Sequence, residues 1–269
     1  FVAFTATTTP KTVSFFGEPF DTYSEEEAIK EGYILDVAQN IISYETLYNL
    51  RFGNDYIPKQ KDGKDFPSGV VSKALKTIAF NDDDLIQYKS EVIVKLFEEK
   101  VRNTANGKGK AMVVTSSRPA GLKFFKTIKA ILEEKGADYK VLFAFSDYPD
   151  PITNESIEEI KINQLDTLHN NKVIEDVFDL DEYRILVVAN KFQTGFDQPL
   201  LSAMFLDKAV NGVNAIQTVS RLNRKHVDKE QSDILVVDFT NNSDKIFAAF
   251  NKHRKGSPYK EKEPDKDIL

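Results

Sequence analysis

The sequence predicts an α/β protein: a doubly wound parallel sheet preceded by a mainly helical connecting segment. Two observations carry that reading. From residue 110 onward, short apolar runs alternate with longer amphipathic ones, the rhythm of strand–helix–strand units. The apolar runs are continuous, as in KAMVVTSS (110–117), which is how strands buried on both faces read.

Taken in order, FVAFTATTTP (1–10) reads as a short strand ending in a Thr-rich loop. Helical stretches follow around 24–31, 34–50 and 84–104, with a polar Lys/Asp/Gly/Pro loop at 54–69. Asp82, Asp83 and Asp84 precede the periodic set Leu85, Tyr88, Val92 and Leu96, so the acidic triplet is read as a helix N-terminus rather than a metal site. After the strand at 110–117 comes a helix over 119–136, with Pro119 in its first turn and Gly136 at its end. YKVLFAFS (139–146) is the next strand, and 155–181 reads as helical. Then come strands 185–190 and 203–207, helix 213–225, strand 234–239 and helix 242–252. On such sheets ligands collect at the carboxyl ends of the strands. The segments Thr115 to Arg118, Phe145 to Asp147 and Lys191 to Pro199 are expected there.

Composition narrows the function classes. The 269 residues, 41% of them apolar, suffice for one large or two modest domains. The chain starts at Phe1 inside an expected strand, which predicts an excised piece of a longer protein. With no cysteine, thiol chemistry and Cys-ligated metals are out, and His169, His226 and His253 have no metal-ligand spacing. No run of about eighteen apolar residues spans a membrane, and no signal peptide is visible. The net charge of −6 argues against a wholly basic DNA-binding surface and leaves room for a local basic groove.

Three segments carry chemistry. At 100° per residue, helix 213–225 puts Ile216, Val219 and Leu222 on one side and Gln217, Arg221 and Arg224 on the other. A solvated polar face is the ordinary reading of such a helix. Here the face holds two arginines and no carboxylate, and it follows a Gly-containing loop, which suits a transferring phosphoryl group. In that loop, Gly195 permits close backbone approach, Thr194 offers a hydroxyl, and Asp197 can accept from a ribose hydroxyl or orient an arginine. The third segment, Thr115, Ser116, Ser117 and Arg118, combines hydroxyls with one arginine ahead of a helix, fit for a phosphate contact or for capping by Ser117. Gly107-Lys108-Gly109-Lys110 precedes a strand instead of opening a helix, so it is a lysine-rich turn and not a phosphate loop. Asp238, ending ILVVDF, reads as a cap for helix 242–252.

Together these segments resemble the superfamily 2 helicases and translocases, most closely the motor (R) subunit of type I restriction-modification enzymes. FTATTTP (4–10) resembles motif III, VVTSSRPAG (113–121) motif IV, VVANKFQTGFDQP (187–199) motif V and AIQTVSRLNR (215–224) motif VI. Ser220 and Asn223 stand where most of these helicases have glycine, and Ser-Arg-x-Asn-Arg points to the type I motors, as does LVVDFTNN (235–242). A departure is Thr8-Thr9 before Pro10, where relatives have a shorter Thr-x-Thr-Pro.

The resemblance implies the end of a first RecA-like lobe at 1–20, a helical inter-lobe segment at 21–105, a second RecA-like lobe at 106–252 and a charged tail at 253–269. It implies that Arg221 and Arg224, supported by Gln217, reach the γ-phosphate of ATP, bound with Mg²⁺ mainly by a first lobe largely missing from the chain. Gly195 and Asp197 would border the nucleotide; Thr194, Ser116 and Arg118 would contact the DNA backbone; Thr5 and Thr7 would couple the lobes. No protein metal site is implied. Partners would be double-stranded DNA and the modification (methyltransferase) and specificity subunits, in the cytoplasm of a bacterium or archaeon. The family's nuclease site lies upstream of its motor lobes, so this chain should not cut DNA, and by itself it should not hydrolyse ATP. Another superfamily 2 repair or remodelling ATPase, or a non-enzymatic α/β domain docking an acidic partner, are the competing expectations.

Overall fold

The computed structural model describes residues 10–17, 21, 23–45, 80–150, 152–192, 196–240, 243–253 and 265–268. Its strands are β1 (Ile41–Glu45), β2 (Lys110–Thr115), β3 (Lys140–Ala144), β4 (Tyr148–Pro149), β5 (Ser156–Ile157), β6 (Tyr183–Val188), β7 (Leu201–Asp207), β8 (Leu235–Asp238) and β9 (Asp265–Ile268). Seven of them form one sheet in the order β3-β6-β2-β7-β8-β1-β9, with every neighbouring pair parallel. The remaining two, β4 and β5, make a small antiparallel hairpin.

The alternation of side chains along each strand splits the core into two layers. Met112, Val114, Leu186, Val188, Met204, Leu206 and Val236 share one layer with Phe178, Ile216, Val219 and Phe250, from helices Ile174–Asp179, Gly212–Val219 and Ser243–His253. Ala111, Val113, Ile185, Val187, Ala203, Phe205 and Val237 share the other with Ile93, Phe124 and Ile128, from helices Asp83–Leu96 and Arg118–Glu134. The apolar runs of β2, β6, β7 and β8 are continuous because their residues meet a helix layer whichever way they point.

Local signals set the helix starts. Asp82 accepts from the Leu85 amide (2.9 Å) and Ser117 from the Ala120 amide (3.2 Å), so the acidic triplet and the Ser-Arg-Pro run are N-termini as read. Gly121 lets helix Arg118–Glu134 lie close on the sheet: a Cβ there would sit 2.5 Å from Phe143 and 2.9 Å from Thr115 Oγ1.

Three helical expectations need correction. The run 34–50 is not one helix: a 3₁₀ turn at Val37–Asn40 leads into β1, which joins the sheet beside β8. Buried Ile41 and the β-branched pair it forms with Ile42 find better packing in the sheet, between β8 and β9, than local helix propensity offers. Over 155–181 there are three short helices, Glu159–Ile162, Leu165–Leu168 and Ile174–Asp179, interrupted by left-handed backbone at Gln164, Asn170 and Asn171. The third, 213–225, bears on the site. The strand expected at 1–10 and the loop at 54–69 lie outside the described residues, apart from Pro10. Among the described residues no helix is long and apolar enough to cross a membrane, and no trio of His, Asp or Glu is placed to hold a metal.

Candidate functional site

The candidate residues fall at two opposite edges of the sheet. At the carboxyl edge, β2 ends in Thr115, whose hydroxyl donates to the Val188 carbonyl (3.0 Å) and so ties β2 to β6. Ser116 follows, its Oγ buried with no hydrogen-bond partner among the described residues. Half-buried Arg118 lies 4.7 Å over the Tyr148 ring and donates to the carbonyls of Ser146 and Asp147 at 3.3 and 3.4 Å. The end of β3 is thereby drawn to the end of β2. Beyond β6, Lys191 pairs with Glu159 (2.7 Å), and Glu159 also accepts from the Phe145 amide. Asn190 and Phe192, on either side of Lys191, take left-handed backbone, which turns the chain back across the sheet.

A buried ion pair closes this edge. Asp207, the last residue of β7, accepts from Lys89 Nζ at 2.6 Å, and both side chains are almost wholly buried. Burial pushes the Asp207 carboxyl up to about 6, against the opposing pull of Lys89. The pair pins helix Asp83–Leu96 to the sheet. Neither residue stood out in the sequence, since an aspartate at a strand end and a lysine on an amphipathic helix are both ordinary there.

The arginines lie at the other edge. The helix expected over 213–225 is α-helical only from Gly212 to Val219; Ser220–Asn223 is a 3₁₀ turn and Arg224 has left the helix, with φ −59° and ψ 127°. Leu222 is buried as the wheel requires, and so are Ile216 and Val219. At three residues per turn, positions three apart line up. Arg221 and Arg224 both turn towards residues 196–197: Arg221 Nη1 donates to the Phe196 carbonyl (2.9 Å), and Arg224 Nε lies 3.2 Å from Asp197 Oδ1. Burial, and then the neighbouring Arg224, push the Arg221 guanidinium below its ordinary value, while Asp197 pulls the other way. Asp197 is thus paired with an arginine in an exposed ion pair. Gln217 is half-buried on the same helix.

Carboxyl-edge placement therefore holds only for the first part of 191–199. By Leu200, whose carbonyl accepts from the Lys110 amide at the start of β2, the chain has crossed to the amino edge. Phe196 is seated there against the Phe178 and Phe192 rings, at 6.2 and 4.7 Å. The seven residues of β7 separate the two edges, a distance of about 20 Å at strand rise. Thr194 and Gly195, between them in sequence, and Thr5 and Thr7 lie outside the described residues.

The chain is similar to several known proteins. Residues 152–241 match the family model for Type I restriction enzyme subunit R domain 3. The protein described as the type I restriction enzyme MjaVIIIP endonuclease subunit of Methanocaldococcus jannaschii is 29% identical over 269 residues, covering 93% of this chain and 25% of its own length. The type I restriction enzyme SsaAORF53P endonuclease subunit of Staphylococcus saprophyticus is 23% identical over 255 residues, 81% of this chain and 24% of its own. The chain spans about a quarter of the length of these relatives. A structure described as a fragment of an HsdR subunit of a type I restriction enzyme, from Vibrio vulnificus, superposes with TM-score 0.55 at 17% identity, over 97% of this chain and 41% of that one, and shares the fold. The chain is similar to type I restriction enzyme R subunits, the family its motifs resemble.

Proposed function

We propose, from that similarity, that the chain is part of the ATP-dependent DNA translocase motor of a type I restriction enzyme. It would comprise the end of a first RecA-like lobe (1–20), an inter-lobe segment (21–105), the second lobe (106–252) and a charged tail (253–269). The observation that carries the reading is the convergence of Arg221 and Arg224 on Phe196 and Asp197. Two guanidinium groups stand one turn apart at a sheet edge, and Arg224, 52% exposed, can offer its planar fork to an incoming anion.

These residues fit the oxygens of a nucleotide triphosphate, which supplies a phosphoryl group whose transfer gathers negative charge. Arg221 and Arg224 would bind and neutralise those oxygens, and Asp197 would hold Arg224 in the plane that receives them. Gln217 would support the pair, and Gly195 would border the nucleotide together with Asp197. Mg²⁺ and most of the nucleotide would be held by the first lobe. Ser116 and Arg118 at the carboxyl edge, together with Thr194, would meet phosphates of double-stranded DNA, and Thr5 and Thr7 would link the lobes. The modification and specificity subunits complete the proposed complex, in the cytoplasm.

The test compares ATP hydrolysis by this chain and by the full-length protein, with and without DNA. The full-length protein should be DNA-stimulated and the isolated chain inert, because the groups that position Mg²⁺ and the β- and γ-phosphates are outside it. DNA-stimulated turnover by the isolated chain overturns the reading.

A further inference from the structure

The arginine segment is held from behind by a cation that none of its motifs contains. Lys229 is 4% exposed. Its Nζ donates to the carbonyls of Leu201 (2.6 Å), Leu222 (2.8 Å) and Arg224 (3.1 Å), with that of Pro199 at 3.3 Å. Two of these carbonyls belong to the segment that carries Arg221 and Arg224. The other two belong to the stretch that carries Phe196 and Asp197 into β7. One ammonium group therefore bridges the backbones of both halves of the candidate site.

The bridge stands where it is needed. A helix leaves its last carbonyls without partners, and a 3₁₀ turn holds its own bonds poorly. Between the two carbonyls that Lys229 takes, the Asn223 carbonyl accepts from the Leu35 amide (2.9 Å), and Ile34 forms an antiparallel bridge with Arg224. Lys225 Nζ donates to the Gly32 carbonyl (2.7 Å). The backbone from 222 to 224 is thus fixed to its surroundings, while the arginine side chains reach towards 196–197. Burial pushes the Lys229 ammonium down to about 8, opposed by Asp233, so it keeps its charge at neutral pH.

We propose that Lys229 is a positioning residue for the phosphate-binding arginines, setting the separation between the 196–199 stretch and the 221–224 segment. This rests on the motor reading above. It also deepens that reading, because the direct ties, Arg221 to the Phe196 carbonyl and Arg224 to Asp197, run through the arginine side chains, whereas Lys229 bonds backbone carbonyls of both segments. A misplacement near 1 Å in such machinery costs on the order of 10²-fold in rate.

The experiment uses the full-length protein carrying Lys229→Met, with DNA-stimulated ATPase, DNA affinity and thermal melting measured together. The expected result is a fall in kcat on the order of 10²-fold, with KM for ATP and DNA affinity within a few-fold of wild type. A purely structural role instead lowers all activities in step with the folded fraction. The same substitution in an Arg224→Lys background should add little further loss, because both changes act through one group; independent lesions multiply. If Lys229→Met melts below the assay temperature, Lys229→Gln, which still donates two hydrogen bonds, takes its place with the same expectations. Normal kcat in a folded Lys229 variant, where Arg224→Ala is dead, overturns the positioning role and leaves the motor reading standing. Normal kcat in Arg224→Ala as well overturns the motor reading itself.

Discussion

The two edges of the sheet hold their charges differently. At the carboxyl edge, Lys89 and Asp207 are sealed together at 2.6 Å, and Arg118 is folded over Tyr148 onto two carbonyls. At the amino edge, Lys229 and Lys110 are buried among carbonyls: Lys110 Nζ donates to those of Phe178 (2.7 Å), Leu180 (2.9 Å) and Tyr183 (2.7 Å). Beside them Arg224 remains 52% exposed, facing one carboxylate. A buried ammonium surrounded by carbonyls has its donors satisfied and holds backbone. A half-exposed guanidinium fork has donors left for an anion. On the proposed function, the contrast gives architecture to the lysines and ligand contact to Arg221 and Arg224.

The largest effect that can break this contrast is at Arg221 and Arg224. In the full-length protein, either arginine→Ala should lower ATPase by ~10³–10⁵, the range an arginine finger supplies. Melting should hardly move, because the core residues Ile216, Val219 and Leu222 are untouched. Arg224→Lys should rescue poorly for want of the planar fork. A large melting shift with proportionate loss of all activities makes these arginines architectural and erases the contrast.

Next in size is Lys89→Ala. It leaves the Asp207 carboxylate buried without its ion-pair partner, and removal of one member of such a pair costs about 3–5 kcal/mol. Chemical denaturation of the chain reads this directly. A change below 1 kcal/mol makes the carboxyl-edge seal dispensable.

A smaller effect is expected at Arg118. Arg118→Ala should weaken DNA binding alike on unrelated duplexes and reduce the salt dependence of binding by about one phosphate contact. A base-sequence preference lost with the substitution puts the contact on bases instead.

The smallest is a pH effect at Lys110. Burial pushes it down to about 8, ahead of the like-charge effect of Arg184. The folded chain therefore releases this proton before the unfolded chain does, and stability from this group rises between about pH 8 and its ordinary value of 10.5. Unfolding free energies measured over that window should rise more steeply with pH in wild type than in Lys110→Met. Parallel profiles mean that its burial does not perturb the titration.

Much of this protein was legible in the residues alone. Strands β2, β3, β6, β7 and β8 are continuous apolar runs because both faces are covered, and hydrophobic burial is written locally. Asp82 and Ser117 announce their helices because a cap bonds to an amide only a few residues away. Arg221 and Arg224 were legible as residue types at a spacing, and that spacing survives the change from α-helix to 3₁₀ turn. Tertiary structure decided the rest, since the partners are far apart in the chain. Only packing against β8 makes β1 a strand. Only the return of helix Gly212–Val219 from the carboxyl end of β7 separates Arg221 and Arg224 from Arg118. Lys229 bonds to Leu201 and Lys89 to Asp207 across 28 and 118 positions. A lysine's local pattern is the same whether its ammonium reaches water or a cage of carbonyls, and the fold alone chooses between them.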